Sequence, residues 1–291
     1  MLIDIHAHIG RIRPHPDATL DVDDLIRIMD AWGIDRACVL ALGDHANPHY
    51  RDNDSECVLA ACRKFPERLV PFGLVVPAMS SDQPMDYRRK LAELKSRGCR
   101  GVGEFLPDMP FDAPACLEVY QVAGELGLPV LFDLHDVAGE YGLRDAPGLP
   151  GLEYAVQHCP ETSFIGHGPS FWAEISGDVT PDRRAGYPYP DGPITPGGAV
   201  PRLLSTYPNL WADLSAGSGY HALTRDPSAA LDFVRTFQYR LLFGTDSCRR
   251  YSVEPVSPIR ELLRHWREHG LLDDAICSNV ESANAARLLG L

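Results

Sequence analysis

The sequence predicts an α/β protein built as a (β/α)8 TIM barrel of the metal-dependent hydrolase type. Eight short apolar runs alternate with segments of helical periodicity. The length of 291 residues suits such a barrel, for which about 250 residues is typical. Directly after the first run stands His6-Ala7-His8, where a doubly wound sheet would carry a glycine-rich turn.

The elements follow in order. Leu2-Ile3-Asp4-Ile5 reads as a strand buried on both faces. Residues 20–33 place Leu25, Ile28, Met29 and Trp32 at helical spacing, with Asp21 as N-cap and Gly33 as the stop. A strand over 37–42 leads to a helix over 53–65, a strand over 69–76, a helix over 86–97 closed by Gly98, and a strand over 101–105. Residues 114–126 open on a proline and end before Gly127, the asymmetry expected of a helix. They lead to the strand 129–135 and the helix 149–159. Strand six covers 163–167 and strand seven 210–214, after a helix over 199–207. A helix over 226–237 precedes the eighth strand, 241–244, and a terminal helix over 280–289 closes the outer ring. One segment breaks this rhythm. Between about 168 and 198 the chain is rich in Pro, Gly and Tyr, including Phe171-Trp172 and Tyr187-Pro188-Tyr189-Pro190, and it is longer than an ordinary connection. It reads as a loop insertion in a single domain spanning 1–291, equally an active-site lid on the one hand or a surface excursion or oligomer contact on the other.

Composition narrows the partners. Hydrophobic residues at 45% and charged residues at 23% belong to a soluble globular protein with a sizeable core. A net charge of -13 repels a nucleic-acid backbone or an anionic membrane surface. A small neutral, cationic or mildly anionic substrate fits better, and a homo-oligomer is compatible with this surface. The eight cysteines are scattered without a Cys-x-x-Cys pair, and neither a leader pattern nor a membrane-length apolar stretch is present. The expected location is the cytoplasm. Nucleotide cofactors are disfavoured, because Gly101-Val102-Gly103 lacks the third glycine of a dinucleotide fingerprint and no phosphate-binding loop occurs.

In such a barrel the working groups sit at the C-terminal ends of the strands. His6 and His8 end strand one and share a face by strand alternation, so both imidazoles can converge on one metal ion. Glu104 ends strand four, Asp133 and His135 end strand five, His167 ends strand six, and Asp246 follows strand eight. Polar groups gathered in this way are costly to bury unless they share a cation or bond one another. Phe171 and Trp172 follow the His167 turn and are candidates for the wall of a substrate pocket. The pair Arg183-Arg184 reads as a solvated basic pair, and His45 and His49 as loop bystanders.

Ile3-Asp4-Ile5-His6-Ala7-His8, Phe164-Ile165-Gly166-His167-Gly168 and Leu241-Leu242-Phe243-Gly244-Thr245-Asp246 together resemble the metal-dependent amidohydrolase superfamily. More narrowly they resemble its amidohydrolase-related branch, which includes small-molecule hydrolases and metal-dependent decarboxylases. The resemblance implies metal binding by His6, His8 and Asp246, with Asp246 also taking a proton from the attacking water. It implies for His167 either a second ion or polarisation of the substrate. Glu104 matches a ligand or metal bridge in some branches, and could instead orient His6 or His8. Strand five departs from the pattern, since relatives usually place a histidine ligand where this chain has Asp133; His135 shares its face and could take over that role. The implied cofactor is one or two divalent ions, with zinc favoured by the His and carboxylate donors, although manganese, iron or cobalt suit them too. The implied activity is hydrolysis of a C–N or C–O bond in a small carbonyl compound. Non-oxidative decarboxylation of a small unsaturated or aromatic acid is the alternative within chemistry. A barrel that has lost catalysis and serves as a binding protein is the alternative outside it.

Overall fold

The computed structural model describes residues 1–12, 19–44, 50–77, 85–136, 141–184, 189–249 and 257–291, apart from the side chain of Arg183. His45, His49, Tyr187 and Pro188 lie outside the described residues. The chain is a (β/α)8 barrel. Its strands are β1 Ile3–Ala7, β2 Arg36–Leu40, β3 Leu69–Gly73, β4 Gly101–Phe105, β5 Val130–Asp133, β6 Phe164–His167, β7 Leu210–Asp213 and β8 Leu241–Leu242, hydrogen-bonded in that order. Every pairing between them is parallel. The ring closes where β8 meets β1: Ile5 N donates to Phe243 O at 2.9 Å, Asp246 N to His6 O at 2.8 Å and His8 N to Ser247 O at 2.8 Å.

Local chemistry sets the helices that separate the strands. Asp21, Asp54, Asp86 and Asp226 each accept a backbone N–H of the first turn that follows. Proline opens Pro114–Glu125, Pro150–His158 and Pro227–Phe237, where its missing N–H costs nothing. Gly33 ends Val22–Trp32 at φ 66°, a conformation that glycine adopts without a Cβ clash.

The strands are shorter than their apolar runs. β3 stops at Gly73 rather than 76, and β5 stops at Asp133 rather than 135. At β8 the backbone leaves the ladder after Leu242, because Phe243 N donates instead to Val280 O at 3.0 Å. Among the described residues, helices beyond those expected include Ala216–Thr224, Pro258–Glu268 and the short Pro169–Ala173, Pro181–Arg184 and Asp274–Ser278. The terminal helix Asn284–Leu289 does more than complete the outer ring. Ala285 and Leu289 join an inner apolar cluster with Ile3, Ile5, Trp211 and Leu242, which closes one end of the barrel.

Two register shifts aim the polar groups. Along β1 the pairing passes from Asp4 against Ala37 to Ala7 against Val39, and along β4 from Val102 against Val130 to Phe105 against Phe132. Each shift sets one extra residue into the strand and breaks its strict alternation. Hence Ile5 joins the inner cluster while the next residue, His6, reaches across to β7. Glu104 uses the second shift to reach His6 and His8.

Candidate active site at the barrel mouth

The structure brings His6, His8, Glu104 and Asp246 together. His6 Nε2 lies 2.9 Å from His8 Nε2, 3.5 Å from Glu104 Oε2 and 3.7 Å from Asp246 Oδ1. His8 Nε2 lies 3.3 Å from Glu104 Oε2 and 3.4 Å from Asp246 Oδ1. Four donors held about 2.0–2.1 Å from a tetrahedral zinc ion stand about 3.3 Å apart, so these separations match such a set. Two donor groups on this scale are present among the described residues, His6 with His8 and Asp246, and His6 with Glu104 and His167.

The far side of each ring decides what Nε2 can do. His8 Nδ1 is 3.0 Å from Leu40 O, a carbonyl that only accepts, so the ring proton sits on Nδ1. His6 Nδ1 is 2.8 Å from Asp213 Oδ2. In the neutral rings both Nε2 lone pairs therefore face each other, an arrangement that a shared cation relieves. The surrounding charge favours one. Burial opposes a charge on His6, yet Glu104 and Asp213 outweigh it and hold the ring well above its ordinary pKa. Burial likewise opposes charge on His8, and Asp246 and Glu104 push it up to about 9. Glu104 is held well below the usual carboxylate range, since His6 and His8 overcome the effect of its burial. A field of this sign favours a cation at the two Nε2 atoms, where a proton and a metal ion compete.

Asp246 occupies the left-handed region at φ 55°, which aspartate tolerates better than most residues. Its side chain is 28% exposed against 7% for Glu104 and 2% or less for the two histidines, so it is the donor open to the mouth. The loop that carries it is tied to β1, where Asp4 accepts Thr245 N at 2.9 Å and Thr245 Oγ1 at 2.6 Å.

Asp133 falls outside both donor groups, although the sequence placed it among the metal donors. Its carboxyl still feels the charges of Glu104, His167, Asp246 and His6. Burial first, then the charge of Glu104, pushes its pKa up to about 8, and Oδ1 has no hydrogen-bond partner. His135 is in neither donor group. With β5 ended at Asp133, His135 N bonds Leu143 O at 3.0 Å and the ring stacks on Tyr141 with centroids 4.7 Å apart.

The aromatic pair lies deeper than the sequence suggested. Phe171 is fully buried and packs edge-on against Phe132 and Trp172, in the layer between barrel and helices. Trp172 is also buried, and its Nε1 donates to Asp213 O at 2.9 Å. Trp172 lines a small pocket together with Pro169, Tyr189, Ser218 and His221. Arg184 is not solvated either. It is 1% exposed, with Nε 2.9 Å from Glu174 Oε1 and Nη1 3.0 Å from Asp136 Oδ2, and it also bonds Asp145 O. It ties the segment after β6 to the loop after β5. Replacing it with methionine leaves Glu174 buried without its partner and is expected to cost about 3–5 kcal/mol in urea unfolding. A loss below about 1 kcal/mol would contradict the tie.

Sequence reasoning missed Asp213 and Ser215. Asp213 is wholly buried, and its Oδ2 also lies 2.9 Å from His167 Nδ1 and 2.6 Å from Ser215 Oγ. Burial opposes its ionisation, but hydrogen bonds from His167 and His6 hold it well below the usual carboxylate range. The signal was available: Asp213 closes a strand as His167 and Asp133 do.

Comparisons with known proteins agree on the fold. A family model described as amidohydrolase matches residues 3–291. No curated protein matches the chain by sequence. Among solved structures, a candidate 2-pyrone-4,6-dicarboxylic acid hydrolase from Pseudomonas putida superposes with a TM-score of 0.60 at 20% identity, covering 99% of this chain and 97% of that one. The 5-carboxyvanillate decarboxylase of Sphingomonas paucimobilis gives 0.59 at 15% identity, over 100% and 99%. A zinc-bound amidohydrolase from Burkholderia multivorans gives 0.61 at 17% identity, again over 100% and 99%.

Proposed function

The chain belongs to the amidohydrolase family, and from that premise we propose that it is a metal-dependent hydrolase cleaving a C–N or C–O bond in a small carbonyl compound. The observation that carries this reading is the set of donors from His6, His8, Glu104 and Asp246, with neighbouring separations of 2.9–3.7 Å. Those four side chains hold one divalent ion. Zinc is the ion we assign, on the chemistry of two imidazoles and two carboxylates and on the zinc in the Burkholderia multivorans relative. When bound, it lowers the pKa of a water toward about 7 and polarises a carbonyl.

The chain's own groups do the rest. Asp246, the most exposed of the donors, takes the proton of the attacking water and delivers it to the leaving nitrogen or oxygen. His167, on the adjoining side of His6, faces the substrate oxygen; burial opposes a charge on its ring, but Asp213 raises its pKa, and the second proton, on Nε2, stabilises negative charge as it develops on that oxygen. His135 with Tyr141 forms the side of the mouth next to β5, where the substrate's body rests. All eight cysteines are free thiols, which supports the cytoplasm as the location. Among the described residues no helix is long and apolar enough to cross a membrane.

The test is metal analysis of the purified protein followed by incubation with lactone, amide, ester and carboxylic-acid panels. The expected result is about one zinc per chain and hydrolysis of a lactone, amide or ester. Release of CO2 without hydrolysis would move the assignment to the decarboxylases, the activity named for the Sphingomonas paucimobilis relative. A chain that binds no divalent ion when supplied with one would sink both and leave a binding protein.

A further inference from the structure

We infer that Asp213 is the positioning residue of this site: one buried carboxylate fixes the tautomers of two imidazoles with different tasks, His6 at the ion and His167 at the substrate. The inference rests on the reading proposed above and extends it from the donors to what orients them. Asp213 Oδ2 accepts from His6 Nδ1 at 2.8 Å, His167 Nδ1 at 2.9 Å and Ser215 Oγ at 2.6 Å, while Oδ1 accepts Ser215 N at 2.9 Å. Three donors thus converge on Oδ2 and one on Oδ1, so both oxygens are engaged. Its side chain has no exposure, and water does not compete.

Consider either ring with its proton on Nε2 instead. A lone pair on Nδ1 would then face an ionised oxygen 2.8 or 2.9 Å away, and Ser215 Oγ, 3.3 Å from His6 Nδ1 and 3.1 Å from His167 Nδ1, gives its proton to that same oxygen rather than to either ring. The carboxylate therefore keeps a proton on Nδ1 of both rings, whatever Nε2 carries, and leaves each Nε2 to the mouth. Histidines that hold metals commonly donate their other N–H to a carboxylate. Here a single oxygen serves two rings whose centroids are 4.5 Å apart at 63°, so orientation at the ion and at the substrate is set by the same atom.

The surroundings hold that atom still. Trp172 Nε1 bonds the backbone carbonyl of Asp213, which gives the buried indole a task. Gly244 leaves the space the carboxylate needs, because a Cβ there would lie 2.5 Å from Asp213 Oδ1 and 2.8 Å from Ser215 Cβ.

Two variants test the inference. Asp213→Asn keeps the shape and removes the charge. Gly244→Ala keeps the carboxylate and crowds it. Zinc affinity is measured by competition with a chromophoric chelator, and the ring tautomer of His167 by 15N–1H spectra of the zinc-loaded, histidine-labelled protein. A His167→Asn variant assigns the His167 signals. Both test variants are expected to bind zinc about 10–100-fold more weakly, and Asp213→Asn is expected to lose the Nδ1-bound proton of His167 seen in the parent. Wild-type zinc affinity in both variants, with an unchanged His167 signal, would overturn the inference while leaving the metal site intact. A parent protein that binds no zinc would overturn the proposed function and this inference together. Should Asp213→Asn fail to fold, zinc affinity and the His167 signal of Gly244→Ala decide the matter.

Discussion

Asp246→Asn is expected to lower turnover per bound zinc by about 10²–10⁴-fold, the range that a positioned general base contributes. The carboxamide keeps the size of the side chain and its φ of 55° but cannot accept a proton near neutral pH. No neighbouring donor replaces it. Glu104 is 7% exposed and turned toward the two Nε2 atoms, whereas Asp246 reaches both the donor set and the mouth. Zinc is assayed alongside the rate, because an amide oxygen is also a weaker donor to the ion. A rate per zinc within about tenfold of the parent would place the proton transfer on another group.

His6→Ala is expected to remove zinc binding at working concentrations. The loss should be about a hundredfold or more, beyond the ~10–100-fold typical of groups that only orient a donor. Three things go at once: an Nε2 facing His8, Glu104 and Asp246, one of the partners that keep Asp213 ionised, and a fully buried ring. Thermal melts with and without zinc make the point without a substrate. Free zinc at 100 times the dissociation constant stabilises the parent by about 2.7 kcal/mol, and that gain should vanish in the variant. A variant that still melts higher with zinc would show that His6 does not hold the ion.

The fold was legible because each barrel strand is a short apolar run and most helices carry their own stops. Asp21 and Gly33 bound the first helix as read. The helix Ala216–Thr224 was not legible, since its sequence includes Gly217 and Gly219, residues that weaken helical propensity, and only tertiary packing stabilises it there. By contrast, Pro258–Glu268 has apolar residues at helical spacing, with Ile259, Leu263 and Trp266 buried, so that signal was present and passed over. At the site, strand ends located the groups but could not say which reach one another. Arg184 looked solvated because nothing local shows that the chain folds back to bring Glu174 and, 48 residues away, Asp136 onto its guanidinium. Asp213 looked like an ordinary strand terminus because its partner His6 is 207 residues away. The register shifts in β1 and β4, which turn His6 and Glu104 toward each other, leave no local mark at all.

The seam between β1 and β8 has a consequence for biogenesis. Asp4 and Thr245 are 241 residues apart, and His6 meets Asp246 across the same join. A nascent chain emerging from the ribosome displays His6 and His8 long before the carboxylate that completes their set exists. Contacts of this span are among the slowest to form, because the whole intervening chain must be brought into register first. An ion captured early by the two histidines alone would be held weakly, and firm capture would coincide with the last closure of the ring. On the proposed assignment, zinc retention would report that the barrel is finished, and a chain truncated before Leu241 should fail to keep the metal even where its first seven strands have formed.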